Sequence, residues 1–142
     1  MSIAGRTAIT IDETQAQPDE AAIGAAFSVL DRFMEALNAR DEATLLATLH
    51  FPHYRLAGGR MRVWDKPGGL PWRFSRPCRC GPAPQRLGFR KVIAAGKAKV
   101  HLDVQFTRYR ADNSVIGSFR SLWIVTKADG RWAVAARSSF AD

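Results

Sequence analysis

Three groups of residues in this chain have types and spacings that could do chemistry. The first is His50-x-x-His53-Tyr54. An imidazole titrates near neutral pH, so His53 could act as a general base. The Tyr54 phenol could donate a hydrogen bond to a developing oxyanion. The same residues also fit a polar rim beside a core tyrosine with a satisfied hydroxyl. The second group is Asp103 with Arg120 and Arg137, and with His101 one pleat away. Chemically this is an acid or base beside an anion clamp. Opposite charges on neighbouring strands are equally a routine sheet device, which would make His101, Arg120 and Arg137 a polar sheet face or a dimer interface. The third is Cys78-x-Cys80, which with His50 and His53 adds up to four zinc ligands. Their spacing matches no finger or ribbon, so neither a metal nor a cofactor is expected. The chain also lacks a Gly-rich phosphate loop and a Gly-x-Ser-x-Gly elbow.

Charge narrows the partners. The net charge is +8 over 142 residues. Seven basic residues between Lys66 and Lys91, with no acid among them, account for nearly all of it. The rest of the chain is close to neutral, so the basicity belongs to one segment. That segment carries Trp72, Phe74 and Phe89, which could stack bases. No recognition helix or RNA-reading motif accompanies them, and nucleic acid is not expected as a partner. No apolar run approaches the ~20 residues of a membrane span. The polar N-terminus does not read as a secretory signal, and a cytoplasmic location is the default expectation. The length suits one domain with a core of its own.

The elements that must position these residues are legible from periodicity. Residues 1–17 read as a flexible N-terminal arm, followed by a single domain over 18–142. Pro18-Asp19-Glu20 opens a helix in which Ile23, Phe27, Leu30, Phe33, Met34 and Leu37 share one face as far as about Ala39. That stripe is the signature of a helix packed on a sheet. Asp41 caps a short second helix, Glu42 to Leu49. Tyr54 to Ala57 and Arg60 to Trp64 form a hairpin around Gly58-Gly59. Proline and glycine supply nine of the 25 residues in 66–90, which predicts an irregular basic segment. Lys91 to Ala95 is a strand. Lys99 to Phe140 is a three-stranded meander turning at Asp112-Asn113 and Asp129-Gly130.

With two-residue turns, Thr107 faces Ser118, Gln105 faces Arg120 and Asp103 faces Leu122. In the second hairpin Leu122 faces Arg137 and Arg120 faces Ser139. Alternation then sends Val100, Leu102, Val104, Phe106, Trp123, Val125 and Val134 towards the helices. His101, Asp103, Arg120 and Arg137 fall on the opposite face. A single bulge would exchange part of that assignment.

Helices, short hairpin, variable middle and long antiparallel strands resemble the plan of the NTF2-like superfamily, in particular its SnoaL-like and ketosteroid-isomerase-like small bacterial members. The stretches that carry the resemblance are FMEALNARDEATLLATL, VHLDVQFTRYRADNSVIG and KADGRWAVAARSSF. The resemblance implies an α+β fold in which helices pack on a curved, cone-like antiparallel sheet around a pocket. It also implies a homodimer. The middle segment departs from the plan, because family members place a helix and a regular strand there. No paired carboxylates occupy the positions that serve the isomerases.

The function expected on these grounds is binding of a small apolar molecule. Phe27, Leu30, Met34, Trp64, Phe106 and Trp123 would line the pocket. One alternative is a cyclase, isomerase or dehydratase acting on an apolar or polyketide-like substrate through His53, Tyr54 or Asp103. A further alternative is a dimeric interaction module with a filled pocket.

Overall fold

The computed structural model describes residues 19–67 and 85–140. The expected N-terminal arm, the Cys78-x-Cys80 pair and most of the basic Pro/Gly-rich segment lie outside the described residues.

Helix α1 (Glu20–Ala39) begins where the sequence places it. The Asp19 carboxylate accepts a hydrogen bond from the Ala22 amide at 3.0 Å, satisfying one of the free donors of the first turn. Arg40 ends the helix in the left-handed conformation, at φ 57°. Asp41 then caps α2 (Glu42–Ala47) through the Thr44 amide at 3.1 Å. This helix stops two residues short of the expected Leu49, because Leu49 already opens a strand.

Six strands follow: β1 (Leu49–Ala57), β2 (Arg60–Trp64), β3 (Gln85–Ala95), β4 (Lys99–Tyr109), β5 (Val115–Ala128) and β6 (Arg131–Ser139). They form one mixed, mostly antiparallel sheet in the order β2-β1-β6-β5-β4-β3. Gly58 and Gly59, both at positive φ, close the first hairpin, and Asp129 and Gly130 close the last in the same way. Among the described residues the one parallel contact is β1 with β6. It joins the two ends of the chain's order and brings the β1–β2 hairpin beside the meander.

Two expectations need correction. Residues Gln85–Arg90 are not irregular: they are the first half of β3. Two register shifts, one between Leu87 and Phe89 and one between Val92 and Ala94, let this strand follow β4 despite Gly88. The second correction concerns the last hairpin. Val125 pairs with Val134, but Ile124 pairs with Ala136. Ala135 is therefore an extra residue, and everything beyond it changes face. Arg137 pairs with Trp123, not Leu122, and Ser139 pairs with Ser121, not Arg120. From Lys99 to Arg108 the β4–β5 register is the expected one, including Asp103 with Leu122 and Gln105 with Arg120. The turn is not the expected two-residue one: Arg110 N donates to the Ser114 carbonyl across it, and a register shift beside Tyr109 takes up the difference.

The sheet curves around α1. Its concave face supplies Val100, Leu102, Val104, Phe106, Trp123, Val125 and Val134, all buried. The helix answers with Ala22, Ala26, Val29, Leu30, Phe33 and Met34. Phe33 meets Trp123 edge-on, with ring centroids 4.8 Å apart, a favoured aromatic geometry. No helix among the described residues is long and apolar enough to cross a membrane.

Candidate functional site

The core does not close completely at the C-terminal end of α1. A cavity of about 100 Å³ remains between the helix and the concave face. Phe33, Met34 and Leu37 form its helix wall, and Phe106 and Trp123 its apolar floor. The opposite side is cationic, with Arg55, Arg108 and Arg137 contributed by three different strands. Ser121, Ser139 and Gln85 also line it, and among the described residues the lining has no carboxylate and no imidazole. Asn38 clamps the start of β3 beside it: its side chain donates to the Gln85 carbonyl and accepts from the Gln85 amide, both at 2.7 Å.

The arginines are neighbours because of the sheet register. Arg62 on β2 pairs with Arg55 on β1. Arg55 pairs with Arg137 on β6, and Arg137 with Trp123 on β5. Trp123 pairs in turn with Leu102 on β4. One rung of the sheet thus runs from three adjacent guanidiniums to an indole and a leucine.

Arg137 is the innermost of them. Its guanidinium lies 5.4 Å from the Phe33 ring centre and 5.5 Å from that of Trp123, within cation–π range of both rings. Its Nε donates to His53 Nε2 at 3.2 Å. Because Arg Nε–H can only donate, His53 Nε2 accepts, and the ring proton sits on Nδ1, which donates to the Val134 carbonyl at 3.2 Å. Burial and the Arg137 cation push the His53 pKa down to about 3. His53 is thus neutral near pH 7 and orients Arg137. Burial, and then the nearby Arg55, push the Arg137 pKa down to about 9, which still leaves it charged at neutral pH. The Arg55 pKa is lowered by burial and by the Arg108 and Arg62 charges.

Three buried nitrogens of this lining have no hydrogen-bond partner among the described residues: Arg55 Nε, Arg108 Nε and Trp123 Nε1. Buried donors are ordinarily paired, so three in one cavity are unusual.

The residues singled out from the sequence are distributed as follows. Met34, Phe106 and Trp123 line the cavity. Leu30 is fully buried in the core behind it. Phe27 lies under the Arg90 guanidinium, 4.2 Å from its ring centre, and Trp64 packs near the His53 ring at 6.4 Å. His53 stands on the concave face behind Arg137. Tyr54, the next residue on β1, is 43 % exposed, and pleating turns it to the convex face. Asp103 is on the convex face too, where its carboxylate pairs with the Arg120 guanidinium and accepts from Arg120 Nε at 3.1 Å. His101 is half-buried on that face.

His53, Tyr54 and Asp103 are therefore not assembled around one point. Arg137 must be moved from the expected polar face to the concave one, for the reason given by Ala135. Among the described residues no group of three or more His, Cys, Asp or Glu could hold a metal. Phe33 and Leu37 belong to the helical stripe that the sequence displays. Arg55 and Arg108 carried no such signal, because their meeting with Arg137 depends on the parallel β1–β6 contact and on the bulge.

No family model and no curated protein sequence matches the chain. Solved structures do resemble it. A protein of unknown function with a cystatin-like fold from Nostoc punctiforme superposes with a TM-score of 0.70 at 14% identity, covering 89% of this chain and 95% of that one. An NTF2-like protein of unknown function from Pseudomonas putida gives 0.70 at 15% identity, covering 89% and 90%. A candidate ketosteroid isomerase from Shewanella frigidimarina gives 0.64 at 14% identity, covering 81% and 94%. At such identities the likeness speaks to architecture and not to activity. The protein has the NTF2-like, cystatin-like α+β fold, with its helix–sheet cavity edged by arginine.

Proposed function

We propose that the protein binds a small organic molecule in the cavity between α1 and the concave face of the sheet. The observation that carries this reading is the cavity itself. It opens in an otherwise close-packed core, with aromatic and aliphatic walls and a few convergent polar groups, the usual composition of a ligand site. At about 100 Å³ it lies below the ~300–1,000 Å³ of sites for drug-sized ligands. A compact ligand, on the scale of a single aromatic ring, fits better than a polyketide-sized one.

A SnoaL-like or ketosteroid-isomerase-like activity has less support. Cyclisation, isomerisation or dehydration needs an acid or base at the ligand. Among the described residues the polar groups of the lining are serine hydroxyls, arginines, a glutamine and an indole. His53, beside the cavity, has its Nε2 lone pair engaged by Arg137.

A dimeric interaction module is a second reading. It is favoured by the convex side of the first hairpin. There Tyr54 pairs with Val63 and Leu56 with Met61, and all four are exposed, forming an apolar patch at a sheet edge.

The binding reading is tested by indole ¹H–¹⁵N spectra of the full chain titrated with single-ring compounds, both neutral and anionic. The expected result is a selective shift of the Trp123 indole resonance by at least one of them, with Trp132 unmoved. If no compound displaces the Trp123 resonance, the cavity is not a binding site. Dimerisation is read separately by sedimentation of the wild type and of Met61→Lys.

A further inference from the structure

Arginines aligned on adjacent strands repel each other, and like charges directly opposite one another destabilise a sheet. Arg62, Arg55 and Arg137 are placed this way on three successive strands. Arg108 adds a further positive charge to the cavity lining, close enough to act on Arg55. Two sheet arginines elsewhere are each paired with a carboxylate. Arg120 is paired with Asp103, and Arg90 with Asp31 at 2.5 Å. Among the described residues the cavity lining contains no carboxylate.

A second, independent observation points the same way. Trp123 is 2 % exposed, and its indole N–H has no partner among the described residues, as is true of Arg55 Nε and Arg108 Nε. These are donors only. A site that gathers positive charge and unused donors, and offers aromatic walls, is complementary to an acceptor-rich anion with an apolar body.

We propose that the cavity is the binding site of a small organic carboxylate, whose carboxylate group is held by Arg55, Arg108 and Arg137 with the Trp123 indole, and whose apolar body lies against Phe33, Met34 and Phe106. This rests on the binding reading above and specifies its ligand class. A planar carboxylate matches the planar fork of a guanidinium. The small volume favours it over a bulkier tetrahedral phosphate.

The approach to the site is basic as well. A more open cleft of about 430 Å³ adjoins the β1–β2 turn, lined by Arg55, Ala57, Gly58, Arg60 and Arg62. Arg55 belongs to both the cleft and the cavity. The outer arginines raise the local concentration of anions and hand them to the inner ones, an electrostatic steering that salt weakens.

The experiment is calorimetric titration of the full chain with benzoate, with benzamide as its uncharged near-isostere, and with phenyl phosphate. It is repeated with Arg55→Met and Arg108→Met, each checked for native circular dichroism. Benzoate is expected to bind at least tenfold more tightly than either comparison compound. Each substitution should erase most of the margin over benzamide, and raising the salt should weaken the two anions but not benzamide. If benzamide binds as well as benzoate, the anion assignment fails while the cavity remains a binding site. Tighter binding of phenyl phosphate overturns the carboxylate assignment. If no probe binds, the binding reading itself fails. The wild-type comparison of benzoate with benzamide decides the matter even if both variants fail to fold.

Discussion

The two faces of the sheet treat arginine differently. On the convex face Arg120 is 53% exposed and paired with Asp103, and it stacks over Phe89 at 5.0 Å. On the concave face Arg137 is 9% exposed, hydrogen-bonded to a neutral histidine and flanked by the cation Arg55. Water and a carboxylate can satisfy the first for little net energy in either direction. The second sits where a charge is costly to bury and where a neighbouring like charge adds to the cost. A chain maintaining only its fold has many cheaper side chains for such a position. The proposed carboxylate site would account for this contrast.

The largest expected effect concerns the two histidines on opposite faces. His53 has its pKa lowered to about 3, against ~6.5 in the unfolded chain. Below pH 6.5 the unfolded state takes up a proton that the native state refuses until about pH 3. This contribution therefore lowers stability as pH falls, by at most about 1.4 kcal/mol per pH unit. Arg137, Arg55 and His50 all oppose that proton. Chemical denaturation between pH 7 and 4 should show a distinctly shallower acid slope for His53→Gln than for the wild type. His101→Gln should alter the slope less, since His101 is only half-buried. Equal slopes for the wild type and His53→Gln contradict the buried, neutral assignment.

Next in size is the loss of Arg137. A hydrogen bond to a charged group is worth about 1.5–3 kcal/mol. Arg137→Met should therefore weaken benzoate binding by roughly tenfold to a hundredfold. Arg120→Met on the other face should leave it unchanged. A parallel loss in both variants would mean that net charge, not the concave rung, attracts the anion.

Trp123→Phe retains the ring that Phe33 packs against and removes the N–H. The expected cost to benzoate is about tenfold or less, since one neutral donor contributes about 0.5–1.5 kcal/mol. Trp132→Phe should have no effect on binding.

The smallest effect is expected for Asp103→Asn. An exposed pair of this kind contributes at most about 1 kcal/mol. Denaturation should register that much or less, with benzoate affinity intact. A loss of several kcal/mol would make the convex pair as important as the concave network.

Much of the fold was legible in the sequence for local reasons. Asp19 and Asp41 announce the helix starts, Gly58-Gly59 and Asp129-Gly130 the hairpins, and strict alternation from Val100 to Phe106 the buried face of β4. The β4–β5 register agrees with the expected one only because the register shift beside Tyr109 offsets a turn longer than two residues. The candidate site was less legible because it is made by non-local events. The extra residue at Ala135 reverses the direction of Arg137 and Ser139 without any glycine or proline to signal it. The parallel β1–β6 contact places Arg55 beside Arg137, though 82 positions separate them in the chain. His53 was recognisable as a special residue, but its buried neighbour and hence its neutral state were not. Density of proline and glycine suggested that 85–90 was irregular, whereas pairing with β4 outweighs Gly88 through a register shift.

The concave arginines are proposed to hold a carboxylate. A crystal structure of the protein with benzoate at neutral pH tests this most directly. The claim predicts both carboxylate oxygens within ~2.7–3.2 Å of guanidinium nitrogens of Arg55, Arg108 or Arg137, with the ring against Phe33 and Trp123. A cavity without benzoate, or benzoate bound ring-inward with its carboxylate away from these arginines, would contradict it.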